Sequence, residues 1–312
     1  MGIKLTLAPE IKLFLEAQAL NKLPAVWEAP ISVIRANTQA RVGVAGPAEA
    51  IFAIHNRFNP GPTADLPIRI YRPSAKKDLP AIVFFHGGGW AVNFLDIYDA
   101  ALSHLANKSG ALIISVNYQK APEHPFPIPF DDCYSTFLWV RANATDLGVD
   151  LTKIGVAGDS AGANLAAAVA LKARDNSIPL AFQLLVYPAI EKDFETDSYT
   201  KNGVGLFLTK QAMQWFWQQY VPDPKDDTNP YACPAFAKSF ASLAPAIIIA
   251  AEYDPLLSDC EKYARLLESD GSKVIYKLYE GMIHSFYANV AVTPASTQAL
   301  DFSAEQIIQL TQ

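Results

Sequence analysis

The sequence predicts an α/β fold in which a mostly parallel, eight-stranded sheet is flanked by helices, and three observations support this. Short apolar runs alternate with longer stretches of helical periodicity, as in strand–helix–strand units with right-handed crossovers. The later apolar runs are continuous rather than alternating, which is typical of parallel strands covered on both faces. A chain of 312 residues that is 51% hydrophobic can also enclose one large core.

The predicted elements follow one another along the chain. Runs with β-strand character comprise residues 51–57, 66–72, 81–85, 111–117, 153–157, 181–187, 246–251 and 273–279. Between most of them, apolar residues recur at the spacing of an amphipathic helix. These helical stretches comprise residues 97–108, 130–144, 161–174 and 258–269.

Two stretches interrupt the alternation, residues 1–46 and 189–243. Both carry too many large apolar residues to be linkers, although the second contains a segment rich in proline and aspartate at 222–230. We expect both stretches to form a helical cap over the carboxyl edge of the sheet, where open α/β sheets bind their ligands. Residues 47–188 and 244–312 would then form the catalytic core.

A candidate nucleophile lies between an apolar run and an alanine-rich helical stretch, where residues 158–162 read Gly-Asp-Ser-Ala-Gly. In this G-x-S-x-G context the serine is expected on a tight strand-to-helix turn that holds its hydroxyl clear of the sheet. The glycines suit the crowding of strand and helix, and the helix N-terminus favours negative charge beside the serine. The pattern therefore predicts Ser160 as a nucleophile.

A glycine-rich loop follows the third predicted strand, where residues 86–90 read His-Gly-Gly-Gly-Trp. Glycines let backbone N–H groups approach a developing oxyanion closely. In hydrolases with a G-x-S-x-G turn the donors come from this loop and from the residue after the serine, which predicts Gly88, Gly89 and Ala161. The alternatives are a plain glycine turn and a phosphate loop, but the Lys-Ser/Thr pair of a P-loop is missing.

The predicted general base is His284, because it alone among five histidines follows Ser160, as the nucleophile–acid–base chain order requires. It stands in a loop just past the last predicted strand. His86 is expected to shape the glycine-rich loop. The remaining histidines are interpreted as structural or surface residues: His55, His104 and His124.

The acidic partner of the base should follow the seventh predicted strand, where Glu252, Asp254 and Asp259 are the candidates. Asp254 is the predicted acid, because the proline after it disfavours a helix and keeps this aspartate in a loop. Glu252 is interpreted as structural, and Glu280, which follows the last strand, is a poor second choice.

The composition limits the classes of partner. A formal net charge of -6 with mixed signs along the chain argues against a nucleic acid or an anionic membrane. Three widely spaced cysteines, at 133, 233 and 260, fit neither a disulfide framework nor a zinc site. With no signal-peptide pattern and no apolar span, we expect a cytoplasmic protein that uses neither a metal nor a cofactor.

From about residue 57 to residue 286 the sequence resembles the hormone-sensitive lipase family of esterases, also called bacterial family IV. Six motifs carry the resemblance: Ile-Arg-Ile-Tyr-Arg-Pro at 68–73, His-Gly-Gly-Gly-Trp at 86–90, Ala-Pro-Glu-His-Pro-Phe-Pro at 121–127, Asp-Asp-Cys-Tyr at 131–134, Gly-Asp-Ser-Ala-Gly at 158–162 and Asp-Pro-Leu at 254–256. The chain departs from the family pattern at six positions, where Gln119, Lys120, Ala163, Leu257, Ser258 and Ser285 replace the usual residues.

The resemblance implies an α/β-hydrolase fold with a helical cap and the site residues given above. It also implies a carboxylesterase that acts on short- to medium-chain acyl esters of small molecules, and many members of the family form homodimers. Candidate substrate contacts, each of which could equally be a packing residue, are Trp90, Tyr187, Phe207 and Trp215.

Two other functions remain open at this point. An arylacetamide-type deacetylase or amidase would use the same three residues, so the sequence barely separates it from an esterase. A non-catalytic ligand-binding protein on the same fold would be expected to lack the base, but His284 is present.

Overall fold

The computed structural model of the chain describes residues 6–312, so residues 1–5 of the predicted cap lie outside the described part. Its strands are β1 (Ala53–Pro60), β2 (Asp65–Arg72), β3 (Leu79–Phe85), β4 (Leu112–Val116), β5 (Val149–Asp159), β6 (Gln183–Val186), β7 (Ala246–Tyr253) and β8 (Val274–Ile283). Each of the eight predicted runs overlaps one of these strands.

The strands form one sheet in the order β1-β2-β4-β3-β5-β6-β7-β8. Strands β1 and β2 pair antiparallel, as do β2 and β4, whereas every other neighbouring pair is parallel. The prediction of a mostly parallel eight-stranded sheet is therefore confirmed. Because the carboxyl ends of the parallel strands share one edge, the loops that follow β3, β5, β7 and β8 meet there.

The helices are α1 (Pro9–Leu20), α2 (Ile31–Asn37), α3 (Arg41–Ala45), α4 (Asp99–Ser109), α5 (Ile128–Ala142), α6 (Ala144–Leu147), α7 (Ala161–Asp175), α8 (Asp197–Asn202), α9 (Lys210–Tyr220), α10 (Leu257–Ser269) and α11 (Pro294–Thr311). The stretch predicted as one helix over 130–144 ends at Ala142, and α6 follows after Asn143. Over residues 6–312, the model contains no helix that is both long enough and apolar enough to cross a bilayer.

The long C-terminal helix α11 was not among the predicted helical stretches. Its start carries a recognisable signal, because the Thr293 hydroxyl accepts a hydrogen bond from the Ala295 N–H at 3.3 Å and Pro294 occupies the first turn. The helix packs against α4 on one face of the sheet. Its buried residues include small side chains such as Ala299 and Ser303, which weaken the apolar periodicity on which the prediction relied.

Helix α7 passes through the centre of the core. From Ala161 to Leu171 every one of its residues is buried, and most of them are alanines. It packs against β5, β6 and α5, so small side chains are needed on all sides for the close approach. This explains the alanine-rich composition and gives the turn before α7 a rigid support.

Candidate active site

Ser160 occupies a one-residue turn between Asp159, the last residue of β5, and Ala161, the first residue of α7. Its backbone has φ 55° and ψ −120°, a conformation that non-glycine residues rarely adopt. The Ser160 N–H donates to the Val186 carbonyl at 2.8 Å, and the Ser160 carbonyl accepts from the Asn164 N–H at 3.0 Å. Hydrogen bonds to β6 and α7 therefore hold the strained turn.

The glycines on either side of Ser160 are required by backbone contacts. A Cβ atom on Gly162 would lie 1.9 Å from the carbonyl oxygen of Phe85, at the end of β3. A Cβ atom on Gly158 would lie 2.3 Å from the backbone of Gly162 and 2.7 Å from the same Phe85 oxygen. Since these neighbours are backbone atoms that cannot rotate away, only glycine fits at both positions.

His284 follows the end of β8 and contacts both other predicted residues. Its Nε2 lies 2.9 Å from Ser160 Oγ, and its Nδ1 lies 2.6 Å from Asp254 Oδ2. The side chain of His284 is 7% exposed, and its ring packs against the Tyr187 ring, with 4.5 Å between centroids. The structure thus brings Ser160, His284 and Asp254 into one continuous chain of hydrogen bonds.

Asp254 follows β7 and has no solvent exposure. Besides contacting His284, its carboxylate accepts a hydrogen bond from the Leu256 N–H through Oδ1 at 2.8 Å. Its backbone carbonyl accepts from Asn202 Nδ2, at the end of α8, at 3.2 Å. Both carboxylate oxygens therefore have partners, as a buried charge requires.

The structure places the other acidic candidates away from His284. Glu252 accepts a hydrogen bond from the Gly281 N–H at 2.7 Å, and Glu280 is exposed on the surface. Asp259 accepts from the Ile190 N–H at 3.0 Å, and burial raises the pKa of its carboxyl well above the ordinary value.

The glycine-rich loop has strongly constrained backbone geometry, with positive φ values at Gly88 (116°) and Gly89 (56°). The Gly87 N–H donates to Asp159 Oδ1 at 2.7 Å, and the Gly87 carbonyl accepts from Asn93 Nδ2 at 3.1 Å. Within residues 6–312, the backbone N–H groups of Gly88, Gly89 and Ala161 meet no protein acceptor. These three amides are therefore available to an external acceptor.

His86, the first residue of this loop, stabilises it through a hydrogen bond and a ring contact. Burial lowers the pKa of its imidazole to about 3, so the ring is neutral at physiological pH. Its Nδ1 donates to the Gly87 carbonyl at 2.8 Å, and its ring stacks on Tyr118, with 4.5 Å between centroids. His104 lies elsewhere, between Glu49 and Asp301.

Sequence reasoning assigned no role to Asp159, although it precedes the serine in the motif. Its carboxylate accepts from the Gly87 N–H and, at 3.1 Å, from the Tyr98 hydroxyl. Burial raises the pKa of Asp159, and these two hydrogen bonds oppose that rise. Asp159 thus links the serine turn to the glycine-rich loop. The contact joins residues 72 positions apart, so it can be recognised only in the tertiary structure.

A cavity of about 280 Å³ opens above Ser160 and His284. Its walls come from three parts of the chain: α1–α3 with the loop between α1 and α2, the loops that carry the glycine-rich motif, Ser160 and His284, and the segment around α9. The lining is mostly apolar and includes Phe14, Leu23, Val26, Ile34, Val44, Phe207, Leu208, Met213 and Phe216.

Of the four aromatic residues predicted as candidate substrate contacts, only Phe207 lines this cavity. Trp90 is fully buried and stacks on Tyr220, with 4.4 Å between ring centroids. Tyr187 packs behind His284, and Trp215 packs against Phe216. Sequence reasoning could not separate packing aromatics from lining ones, because both occur in the same apolar segments.

Comparisons with known proteins agree with this architecture. A family model described as "alpha/beta hydrolase fold" matches residues 82–288. The chain is similar to the carboxylesterase NlhH of Mycobacterium tuberculosis, with 39% identity over 75% of each protein. It is also similar to an arylesterase of Saccharolobus solfataricus, with 33% identity over 90% of this chain and 92% of the relative.

A solved structure extends the similarity over almost the whole chain. The esterase of Pyrobaculum calidifontis superposes with a TM-score of 0.90 and 35% sequence identity, covering 97% of this chain and 99% of the other.

The close backbone contact beside the serine turn generates a stability prediction. Gly162→Ala should lower the free energy of unfolding by about 2 kcal/mol or more, because its Cβ would overlap the Phe85 carbonyl oxygen. Gly43→Ala is the matched control, because no heavy atom lies within 4 Å of the added Cβ. Urea denaturation followed by circular dichroism measures both, and equal stability of the two variants would contradict the steric argument.

Proposed function

Because the chain belongs to the alpha/beta hydrolase family, and within it to the carboxylesterases of the hormone-sensitive lipase group, we propose that Ser160, His284 and Asp254 form its catalytic triad. One observation carries the proposal: the unbroken hydrogen-bond chain from Asp254 through His284 to Ser160 Oγ at the floor of the cavity. The reaction is hydrolysis of a small-molecule carboxylic ester and uses no cofactor.

Proton transfer by His284 drives both halves of the reaction. As Ser160 Oγ attacks the ester carbonyl carbon, its proton passes across the 2.9 Å contact to Nε2. The same nitrogen then protonates the departing alcohol, which leaves an acyl group on Ser160. Water repeats the sequence on the acyl-enzyme and releases the carboxylic acid.

Asp254 acts through the histidine. Its carboxylate accepts the Nδ1–H of His284, which leaves the Nε2 lone pair directed at the serine. The negative charge also stabilises the imidazolium that forms after proton transfer. Since Asp254 is wholly buried, solvent does not weaken this interaction.

The backbone amides of Gly88, Gly89 and Ala161 form the proposed oxyanion hole. Their lack of an acceptor within the described part of the chain supports this assignment. Ala161 begins a 15-residue helix, so the helix dipole adds partial positive charge at the same place. Donors of this kind stabilise a tetrahedral intermediate because they are oriented before the charge develops.

The cavity suits esters with short to medium acyl chains. Its volume of about 280 Å³ lies just below the usual range for small-molecule sites. Its walls are mostly hydrocarbon, which favours an aliphatic acyl group over a charged polymer.

The proposal includes a cap formed by residues 1–46 and 189–243. Both segments contribute to the cavity wall opposite Ser160, and a ring contact between Phe14 and Phe207, with centroids 5.8 Å apart, links them. Such a cover would exclude bulk water from the acyl-enzyme. The proposal also includes a cytoplasmic location, which the sequence led us to expect, and the homodimer that many members of the family form. It includes neither a nucleic acid nor a membrane as a partner.

Removal of the nucleophile should abolish turnover. Ser160→Ala is expected to lower kcat by about a millionfold on 4-nitrophenyl esters, because no other group in the site can attack the carbonyl carbon. Ser135→Ala, on α5, is the matched control and should keep the wild-type rate. Wild-type rates in Ser160→Ala would refute the proposal.

The substrate preference of the wild type is a separate test. The wild type should turn over 4-nitrophenyl esters from acetate to hexanoate faster than the laurate ester, and 4-nitrophenyl acetate faster than 4-nitroacetanilide.

The acid can be tested with a pair of isosteric changes. Asp254→Asn should lower kcat by about ten-thousandfold, because the amide favours the wrong histidine tautomer. Asp259→Asn should stay within about threefold of the wild type, because Asp259 contacts the Ile190 N–H rather than His284, and an amide oxygen can accept that hydrogen bond equally well. Steady-state kinetics on 4-nitrophenyl butyrate distinguish the two, and equal losses would remove Asp254 from the triad.

Limited proteolysis tests the division into cap and core. The first tryptic cut is expected after Lys225, whose side chain is 74% exposed in the predicted loop at 222–230. The nicked protein should keep its far-ultraviolet circular dichroism, because the sheet lies outside this segment. Lys225→Gln is the control and should remove that cut, whereas early cleavage inside any one of the strands β3, β4, β5, β6 or β7 in the wild type would contradict a separable cap.

A further inference from the structure

Arg41, on the short helix α3, places a cationic group in the wall of the cavity beside the catalytic loops. Its Nη1 donates to Asn93 Oδ1 at 3.3 Å, and its Nη2 contacts the hydroxyl of Ser285. Its guanidinium carbon stands 5.6 Å from the centroid of the Phe207 ring. The guanidinium is thus held between the loop that follows the glycine motif and the loop that carries His284.

The partners of this guanidinium are all neutral. Two hydrogen bonds engage only part of its five-donor fork, and neither acceptor carries charge. Across residues 6–312, no carboxylate lies within salt-bridge distance of Arg41, and residues 1–5 contain no acidic residue. The guanidinium therefore retains donors and a net charge that no group of the protein neutralises by contact.

The acidic residue that shares the cavity wall, Asp159, is already engaged. One of its oxygens accepts the Gly87 N–H, and the other accepts the Tyr98 hydroxyl. The charge of Arg41 does lower the pKa of Asp159, but burial outweighs this effect and leaves the pKa raised. The carboxylate of Asp159 therefore binds the Gly87 N–H and the Tyr98 hydroxyl and makes no ion pair with Arg41, whose guanidinium can bind a ligand.

Ser285 holds the guanidinium of Arg41 through its hydroxyl. Its φ of 74° is a left-handed conformation that glycine adopts without cost. A residue with a side chain pays a conformational penalty at this position. The hydroxyl of Ser285 accepts a hydrogen bond from Arg41 Nη2. Ser285 therefore positions the guanidinium at the expense of local backbone strain.

We propose that Arg41 is a specificity-determining residue that binds a carboxylate on the substrate, so that the preferred substrates are small esters carrying one free carboxylate. This inference rests on the esterase function proposed above and names its substrate class. Guanidinium groups bind carboxylates through paired, charge-assisted hydrogen bonds, and the apolar cavity strengthens such a pair by excluding water. The ester carbonyl of the same molecule would then lie over Ser160.

The test compares esters that differ only in charge. For the alcohol side, 4-(butanoyloxy)benzoate is paired with 4-(butanoyloxy)benzamide. For the acyl side, the 4-nitrophenyl monoester of adipic acid is paired with the 4-nitrophenyl ester of adipic acid monoamide. The quantity measured is the ratio of kcat/KM for the charged ester to kcat/KM for its neutral partner, which normalises any general damage to the enzyme.

In at least one pair this ratio should fall about tenfold or more in Arg41→Met and should be largely retained in Arg41→Lys, which keeps the charge. Arg57→Met, on the exposed face of β1, is the control and should leave both ratios at the wild-type value. An unchanged ratio in both pairs for Arg41→Met would overturn the inference.

The same assays separate this inference from the proposed function. If Ser160→Ala abolishes hydrolysis of all four esters while the Arg41→Met ratios stay unchanged, only the carboxylate specificity is wrong. If Ser160→Ala still hydrolyses them, the esterase mechanism itself fails.

Discussion

The contact between the backbone of β3 and the turn that carries Ser160 is the constraint on which the rest of the site depends. At Gly162 an added Cβ would stand 1.9 Å from the Phe85 carbonyl oxygen, so no side chain can separate β3 from the start of α7. This closeness forces the chain to reverse within one residue between β5 and α7. Ser160 is that residue, and its unusual dihedral angles follow from the packing around it.

Conformational strain is concentrated around the cavity. Six non-glycine residues with positive φ surround the site, namely Trp90, Asn93, Ser160, Tyr187, Phe207 and Ser285. Each is held by neighbours that define its position, such as the ring stacking of Trp90 on Tyr220 and the hydrogen bond of Asn93 to Gly87. The sheet and α7 supply the rigid packing that holds these residues in unfavourable backbone conformations. Such strain commonly occurs at functional sites, where the surrounding structure stabilises it.

Polar side chains connect the loops into one unit. Asp159 joins the serine turn to the glycine-rich loop, and Asp254 joins the loop after β7 to the histidine loop after β8. Arg41 joins the glycine-rich side of the cavity to the histidine loop from the N-terminal segment. Displacement of the loops joined by Asp159 or Asp254 would leave a buried carboxylate without a partner, which disfavours independent movement of these loops.

The sequence by itself determined the elements and chemical groups that have local signals. Eight strands were predictable because parallel strands covered on both faces are continuously apolar, and the serine turn was predictable because its motif needs glycines at fixed spacing. The start of β5 was predicted at residue 153, but the strand begins at Val149. Val149 joins the strand because it pairs with Leu79 on β3, and no local pattern reveals a partner so far away in the sequence. Helix α11 was missed because small buried side chains blur its periodicity.

Only the tertiary structure decided which residues face the cavity. The aromatic residues Trp90 and Phe207 look equivalent along the chain, yet the first is enclosed by α9 and the second lines the cavity. Nothing near residue 41 in the sequence marks Arg41, because its contacts with Asn93 and Ser285 span 52 and 244 positions. Local sequence encodes local conformation and burial, whereas the orientation of a side chain toward a shared cavity depends on how distant segments pack together.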